Sequence, residues 1–281
     1  MALRIVSDSS IDIYSLPGVD FVTVPLRIRC GTEEFTDNAE LDVAHMCDFF
    51  EHNREKSSTS CPNIMDWRDA FEGADTILAL TISSALSGSY SSCKQAMEEY
   101  LEEHPAAHGY VLDSLSTGPM LRMLADRAIE LWSDDMDFSE FVKEMELYRR
   151  HCTLVFTLSS MNNMARNGRL SPAVAKAASI LGIRVIAVGA EEGRVKMTAK
   201  CRGAARLPGI VVDEIQRLGF HGGRIYIDHC FCRDLVDRIL KILLERFPGS
   251  QVNLWTTGGL CSYYAERGGV IIAFEDALAR V

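Results

Sequence analysis

A dense group of hydroxyl side chains lies where an apolar run gives way to a helical pattern. Six serines fall between residues 83 and 92, shortly after the apolar run 76–80. A helix N-terminus presents unpaired backbone N–H groups and the positive end of the helix dipole, so it favours a phosphate or a carboxylate. Gly88 allows close approach to the backbone, and the hydroxyls of Ser87 and Ser89 can donate hydrogen bonds. The segment therefore predicts an anion site at the start of this helix.

Three further polar clusters could contribute to the same site. Residues 7–10 (Ser-Asp-Ser-Ser) and the pair Asp113-Ser114 each end a predicted strand, and residues 57–62 (Ser-Ser-Thr-Ser-Cys-Pro) are expected in a loop. Ligands of open parallel sheets bind beyond the carboxyl ends of the strands, so the clusters at strand ends are expected along one crevice. The alternative is that these residues form only turns and helix caps.

Other kinds of chemistry have weaker support. The nucleophile elbow Gly-x-Ser-x-Gly and the glycine-rich nucleotide motifs are absent, which disfavours a nucleotide site and leaves a serine hydrolase as a weak alternative. The segment 229–232 (His-Cys-Phe-Cys) contains plausible zinc ligands, but no second Cys-x-x-Cys accompanies it. We interpret it as core and strand-end residues and expect no metal site.

A basic segment stands out in an acidic chain. Residues 166–170 (Arg-Asn-Gly-Arg-Leu) are followed by Lys196, Lys200, Arg202 and Arg206. These side chains form either an ordinary solvated surface or, in the functional interpretation, a docking surface or a patch for a negatively charged product.

The polar clusters need a scaffold of alternating strands and helices. In the first half, strands are expected at 3–6, 21–26, 76–82 and 110–112, and helices at 90–103, 118–132 and 138–148. In the second half, strands are expected at 153–158, 184–188, 224–228, 251–256 and 270–274, and helices at 172–180, 204–218 and 233–246. The alternation predicts an α/β protein with a mostly parallel sheet in its first half. We divide the chain into an N-terminal α/β domain, residues 1–150, and a C-terminal α/β domain, residues 151–281.

Composition and charge exclude several classes of protein. The 281 residues are 47% hydrophobic, which suffices for a large core without disulfides or metals. The formal net charge of −10 argues against a general nucleic-acid-binding protein, which needs a basic face. No apolar run approaches the length of a membrane span, and the N-terminus leads directly into a strand. We therefore expect a cytoplasmic protein with reduced cysteines and no transmembrane segment.

Taken together, the clusters resemble the motifs of the DegV family of bacterial fatty-acid-binding proteins. Residues 59–62 (Thr-Ser-Cys-Pro) are similar to the family's Thr-Ser-Gln-Pro, and residues 83–90 resemble its Ser-Ser-x-Leu-Ser-Gly-Thr-Tyr. Residues 167–171 (Asn-Gly-Arg-Leu-Ser) resemble Gly-Gly-Arg-Ile-Ser. Further similar segments are 7–10, 24–26, 113–114 and 200–203. The match runs in the family's order along nearly the whole chain.

The resemblance implies two α/β domains with a lipid tunnel between them. The family's members serve as acyl-carrying subunits of fatty acid kinase, so it implies a carrier of a long-chain fatty acid and a separate kinase subunit as partner. The carboxylate would be held by Thr59 and Ser87, with Ser60, Gly88 and Ser89 beside them. No catalytic residue is expected, and no cofactor besides the fatty acid as ligand.

Two positions depart from the family's pattern. Cys61 stands where glutamine is usual, and the C-terminal His-x-Gly-Pro-Gly has no clear counterpart. The best alignment places Tyr264 at the histidine and Glu266 close to the carboxylate, where it would add negative charge. Arg169 and Arg202 are expected in partner docking or in stabilising phosphate. The alternatives are a hydrolase or transferase that acts on a small anionic substrate, or a carrier of a different amphiphile.

Overall fold

The first half is built on a parallel sheet of four strands. The computed structural model describes residues 2–53, 55–133, 135–170, 174, 183–189 and 192–276. Within them, the strands of this sheet are β1 (Leu3–Asp8), β2 (Asp20–Val24), β6 (Thr76–Thr81) and β7 (His108–Asp113). Their spatial order is β2-β1-β6-β7, and every pairing is parallel. The expected parallel sheet is thus confirmed. Strand β2 ends directly before Pro25, because proline has no backbone N–H to donate to the next strand.

A small antiparallel sheet lies beside it, and it corrects one expectation. Its strands are β3 (Arg27–Cys30), β4 (Glu33–Thr36) and β5 (Ser57–Ser60), in the order β4-β3-β5. The hydroxyl-rich segment was expected in a loop, but it is a strand whose Thr59 pairs with Ile28. Its composition is typical of turns, yet pairing with β3 satisfies the backbone, and tertiary context overrides the weak local preference.

The helices of the first half cover both faces of the parallel sheet. They are α1 (Val43–His52), α2 (Ile64–Phe71), α3 (Ser89–Glu103), α4 (Pro119–Leu131) and α5 (Phe138–Arg150). In α3, the buried residues Cys93, Ala96, Met97 and Tyr100 recur at helical spacing and form one apolar stripe. Helix α4 is buried over most of its circumference, which is typical of a helix enclosed between two layers.

The second half contains a mixed sheet of six described strands. They are β8 (Cys152–Leu158), β9 (Ile183–Gly189), β10 (Val195–Arg202), β11 (Arg224–His229), β12 (Gln251–Thr256) and β13 (Val270–Glu275). Their order is β10-β9-β8-β13-β11-β12, and β11 and β12 are the parallel pair. The described helices are α6 (Asn162–Arg166), α7 (Leu207–Arg217), α8 (Arg233–Arg246) and α9 (Gly259–Ala265). Strand β10 was missed, and the helix expected at 172–180 lies outside the described residues except for Val174.

Three apolar clusters show how the two sheets are joined. Alternate residues of each central strand face opposite sides, so Ile5 and Leu78 contribute to one cluster while Val6 and Ile77 contribute to another. The largest cluster also takes Leu154 from the second half, and it fills the space between the two sheets. The remaining cluster covers the outer face of the second sheet. Any site between the sheets is therefore lined by residues far apart in sequence.

Candidate functional site

The two halves enclose a cavity of about 820 Å³ whose wall is mainly apolar. The described apolar side chains that line it are Leu26, Ile82, Leu86, Leu115, Leu154, Phe156, Leu158, Met164, Val195, Leu260, Ala265 and Ile271. They come from both sheets, so the cavity exists only in the assembled fold.

One group of polar lining residues brings together side chains from opposite halves. The Oγ1 of Thr59 and the phenol oxygen of Tyr264 lie 2.8 Å apart, at hydrogen-bond distance. Thr59 is placed by its pairing with Ile28, and Tyr264 lies near the end of α9. Burial raises the pKa of Tyr264, so its phenol stays neutral and can donate a hydrogen bond. Both hydroxyls line the cavity.

Ser87 also lines the cavity, just before α3 begins. Its Oγ accepts a hydrogen bond of 3.2 Å from the backbone N–H of Ser89, which leaves the hydroxyl hydrogen free to point elsewhere. Gly88 precedes the first helical residue with an ordinary negative φ. A Cβ at Gly88 would come within 3.2 Å of the Cys61 sulfur, so the glycine permits tight packing between α3 and the loop after β5.

Three of the expected ligand residues, Ser60, Gly88 and Ser89, are not among the lining residues. Ser60 and Gly88 are exposed. Ser89 is fully buried, and its hydroxyl donates to Oδ2 of Asp8 at 2.6 Å. The hydroxyl cluster therefore divides: Ser87 faces the cavity, whereas Ser89 ties α3 to the end of β1.

The cluster at residues 7–10 is used in the same internal way. Asp8 also accepts from the hydroxyl of Ser10 at 2.5 Å and from the N–H of Ile82 at 2.9 Å. The N–H of Ser84 in turn donates to Asp113. These clusters do share one edge of the parallel sheet, as expected, but they bond mainly to each other and to nearby backbone.

Arg169 and Arg202, the arginines expected in partner docking or phosphate stabilisation, lie in different parts of the structure. Arg169 lines the cavity, where its Nε donates to the carbonyl of Leu86 at 3.2 Å and its guanidinium also bonds the carbonyl of Asn167. Its charge lies near Tyr264, whose pKa it lowers slightly against the dominant effect of burial. Arg202 is exposed on β10, the edge strand, together with Lys196 and Lys200. The single basic patch expected from sequence is thus two separate features.

Glu266 does not add charge to the cavity. Its carboxylate accepts from the N–H of Asn163 at 3.1 Å and lines a second, more polar cavity on the other side of α9. The sequence alignment placed Glu266 near the carboxylate site, but the chain turns at this residue, with φ of +54°. Tyr264 and Glu266 therefore face different cavities.

Beneath α9 lies a buried polar cluster that sequence reasoning missed. Asp37 accepts from the N–H groups of Gly259 and Leu260 at 2.7 and 2.9 Å, so a carboxylate binds the helix N-terminus. The hydroxyls of Tyr14 and Ser9 complete its shell. The available signal concerned Asp12, which lies between Ile11 and Ile13, whereas Asp37 lies in a polar stretch and gave none.

A second part of this cluster joins the halves electrostatically. Arg122 of α4 makes a two-pronged ion pair with Asp228 of β11, and both side chains are buried. Asp12 accepts from the N–H of Gly258 at 2.8 Å, while its other oxygen is buried without a donor. Burial and the nearby charge of Asp228 raise the pKa of Asp12. Asp228 is paired with Arg122, so Asp12 is the carboxyl of the two whose ionisation its surroundings disfavour more strongly.

The segment 229–232 lies at the end of strand β11, as interpreted from the sequence. His229 is the last residue of β11, Cys230 is fully buried, and Phe231 packs against the guanidinium of Arg267 at 4.4 Å. Among the described residues, no cluster of His, Cys, Asp or Glu could hold a metal ion. In the same ranges, no helix is long and apolar enough to cross a membrane.

Fold and site define an α/β protein with an apolar cavity between its halves, lined in part by hydroxyls and by the arginines Arg169 and Arg194. The chain belongs to the DegV family, because the family profile described as "Uncharacterised protein, DegV family" matches residues 2–276. The resemblance seen in the sequence motifs is thereby confirmed. A DegV domain-containing protein of Streptococcus gordonii is 35% identical over 283 residues, which cover 98% of this chain and 99% of the relative.

Two solved structures show the same fold with a bound lipid. A DegV family protein from Eubacterium eligens, loaded with heptadecanoic acid, is 38% identical with a TM-score of 0.94 over 98% of this chain and 100% of that one. The Streptococcus pneumoniae fatty acid kinase (Fak) B3 protein, loaded with linoleic acid, is 33% identical with a TM-score of 0.95 over the same shares. The predicted fold class is confirmed by these matches.

Proposed function

We propose that this protein binds a long-chain fatty acid in the cavity between its halves and presents the carboxylate to a separate kinase subunit. The observation that carries the proposal is the cavity itself, an apolar wall with hydroxyls of both halves and a guanidinium on it. Relatives of the same fold are loaded with heptadecanoic and linoleic acids. The ligand is the only non-protein component that the proposal requires.

The tail supplies most of the affinity. A sixteen-carbon chain offers at most about 11 kcal/mol of transfer free energy at about 0.8 kcal/mol per buried methylene. A hydrogen bond to a charged group contributes about 1.5–3 kcal/mol. The polar residues therefore orient the head group and select for a carboxylate, while the apolar wall holds the chain.

Thr59, Tyr264, Ser87 and Arg169 are the residues that we assign to the carboxylate. The hydroxyls of Thr59, Tyr264 and Ser87 can donate hydrogen bonds to the carboxylate. Arg169 supplies a positive charge, and no carboxylate stands beside it among the described lining residues. Tyr264 takes the place of the family's histidine as a donor that remains neutral near pH 7, because burial raises its pKa further. Ser60, Gly88 and Ser89 lie outside the cavity lining, and they support the site through the backbone and packing.

The kinase partner rests on two further observations. One relative is named as a fatty acid kinase protein. The exposed face of β10 also carries Lys196, Lys200 and Arg202 on a chain of net charge −10, and these cations suit an acidic or phosphate-bearing partner surface. We propose a cytoplasmic setting for this pair and retain the division into residues 1–150 and 151–281.

Lipid content is the direct test of binding. Purified protein would be denatured and extracted with organic solvent, and the extract analysed by mass spectrometry. We expect a stoichiometric fatty acid, and a higher melting temperature after stripped protein is given palmitic, heptadecanoic or linoleic acid. An extract dominated by another amphiphile would support the alternative carrier. An empty extract with no thermal shift would contradict lipid carriage.

The partner role needs a separate measurement. With a bacterial fatty acid kinase subunit and ATP, the lipid-loaded protein should support formation of acyl phosphate. We expect K200E/R202E to lower this rate while heptadecanoic acid binding is unchanged, since both residues are exposed and outside the cavity lining. K241E, a charge reversal on α8, is the matched control. Equal rates for all three proteins would remove β10 from the docking surface.

The enzyme alternative is disfavoured by the cavity wall. A serine nucleophile needs a base within hydrogen-bond reach. Among the described lining residues there is neither a histidine nor a carboxylate beside Ser87. Ser87→Ala should leave any esterase background unchanged, and loss of a measurable turnover in that variant would revive the hydrolase.

A further inference from the structure

Two cysteine thiols from opposite halves of the protein face each other. The sulfurs of Cys47 and Cys230 are 4.0 Å apart and buried. Cys47 lies on α1, and Cys230 directly follows β11. The backbone of Cys230 is fixed by hydrogen bonds to Gly268 and Gly269, at 2.8 and 2.9 Å. A disulfide has an S–S distance of about 2.05 Å, so the sulfurs must approach by about 2 Å, mainly through a movement of α1.

A solvent-connected cavity leads to this pair. It is the polar cavity behind α9, about 790 Å³ in volume, and Cys47 is one of its lining residues. Its wall includes the exposed residues Glu51, Ser159 and Arg166, so it opens to solvent. A small oxidant can reach Cys47 by this route, although Cys47 itself is only 5% exposed.

The local charges favour a shared thiolate. A hydrogen bond from Cys47 lowers the pKa of Cys230, with a further contribution from the guanidinium of Arg267. The same hydrogen bond raises the pKa of Cys47, so Cys230 is the member of the pair that ionises first. Deprotonation of one member prepares the pair for reaction, because thiolates and not thiols are the nucleophiles.

We propose that Cys47 and Cys230 are a redox modification site that a hydroperoxide converts to a disulfide joining the two halves. Transfer of the Cys47 proton to Cys230 along their hydrogen bond leaves Cys47 as the thiolate, which attacks the peroxide oxygen. The O–O bond breaks, and the departing oxygen takes a proton from solvent and leaves as an alcohol or water. The Cys230 sulfur then attacks the resulting sulfenic acid at Cys47, the S–O bond breaks, and the departing hydroxide takes the Cys230 proton and leaves as water. Two thiols lose two electrons in total, the hydroperoxide gains them, and a thiol reductant reverses the change.

The cross-link would bear on the lipid cavity through α9. The Cys230 sulfur lies 4.0 Å from the carbonyl of Ser262, two residues before Tyr264. A disulfide here fixes α1 relative to the end of β11 and removes the S–H donor that faces Ser262 of α9. The oxidised protein should therefore unfold at a higher temperature, and the shift should vanish on reduction, because the cross-link constrains the unfolded chain.

The test is mass spectrometry of the full-length folded protein treated with hydrogen peroxide. We expect a loss of two hydrogen atoms, a cross-linked peptide containing Cys47 and Cys230 in a non-reducing digest, and a raised melting temperature that dithiothreitol reverses. Cys47→Ser should show neither the cross-link nor the thermal shift. Cys93→Ser, which removes a buried thiol from the outer core of the first sheet, should retain both.

Three outcomes would overturn the proposal. The first is peroxide oxidation of other cysteines while Cys47 and Cys230 remain reduced. The second is a cross-link that forms only in denaturant, which would show that the folded geometry does not favour it. The third is an equal thermal shift in Cys47→Ser, which would place its cause elsewhere. The measurement needs no fatty acid, so its result is independent of the proposed lipid function.

Discussion

Helix α9 connects two polar regions that use similar residues in opposite ways. At its N-terminus, Asp37 and Asp12 accept from successive backbone N–H groups, and three of their four carboxylate oxygens have donors within the protein. At its other end, the hydroxyls of Tyr264 and Thr59 have each other as their partner among the described residues, and both line an open cavity. A saturated cluster adds stability, whereas hydroxyls that can exchange partners are available to a ligand. Polar residues therefore indicate a binding site only when part of their hydrogen-bonding capacity is unused.

The largest expected effect is in the saturated region. Arg122→Met leaves Asp228 buried without its ion-pair partner, and we expect a loss of about 3–5 kcal/mol in the free energy of unfolding. Urea denaturation measures it. Arg233→Met breaks an exposed pair with Asp237 and should cost less than about 1 kcal/mol. Equal losses in the two variants would refute the distinction, and R122M/D228L should recover part of the stability.

The next effect is in the open region and concerns binding alone. Thr59→Val keeps the shape of the side chain but removes a hydroxyl that we assign to the carboxylate. We expect about ten- to hundredfold weaker binding of heptadecanoic acid, from a loss of about 1.5–3 kcal/mol. Titration calorimetry on stripped protein checks it, with Thr198→Val on β10 as the control. Unchanged affinity for the alcohol analogue would confirm that the carboxylate is recognised.

A smaller effect concerns pH and the proton on Asp12. An aspartate titrates near pH 3.9 when unfolded, and the folded pKa of Asp12 is higher, so the folded state binds more protons above that pH. Stability contributed by this proton is full below about pH 4 and declines as pH rises toward the folded pKa. Asp12→Asn mimics the protonated form and should flatten the decline, by at most about 1.4 kcal/mol per pH unit. Urea melts at several pH values measure both slopes, and parallel slopes would mean that Asp12 is ionised.

The smallest effect separates two adjacent tyrosines on α9. Tyr264→Phe removes a donor from the cavity and should weaken fatty-acid binding by about 0.5–1.5 kcal/mol without changing stability. Tyr263 instead bonds Ser57 and Asn167 at 2.6 and 2.9 Å, so Tyr263→Phe should lower stability by a similar amount and spare affinity. Calorimetry and urea melts on both variants test this pair. The reverse pattern would show that the cavity assignment of the two rings is wrong.

The sequence was enough to predict the parallel sheet and the positions of the polar clusters, but not β3, β4, β5 or β10. Short continuous apolar runs predicted the strands of the parallel sheet, because a strand that is buried on both faces needs apolar residues at successive positions. Motif order predicted the family. The sequence also singled out Thr59, Ser87 and Tyr264, three of the hydroxyl-bearing residues that line the cavity.

Which polar groups remain available to a ligand depends on the tertiary structure. Ser87 and Ser89 are two residues apart and chemically alike, yet Asp8, which lies far away in sequence, occupies the hydroxyl of Ser89. The pairing of Arg122 with Asp228 and the approach of Cys47 to Cys230 likewise join residues more than a hundred positions apart. Hydrogen-bond partners and burial depend on the packing of the two halves, and local sequence patterns do not contain that information.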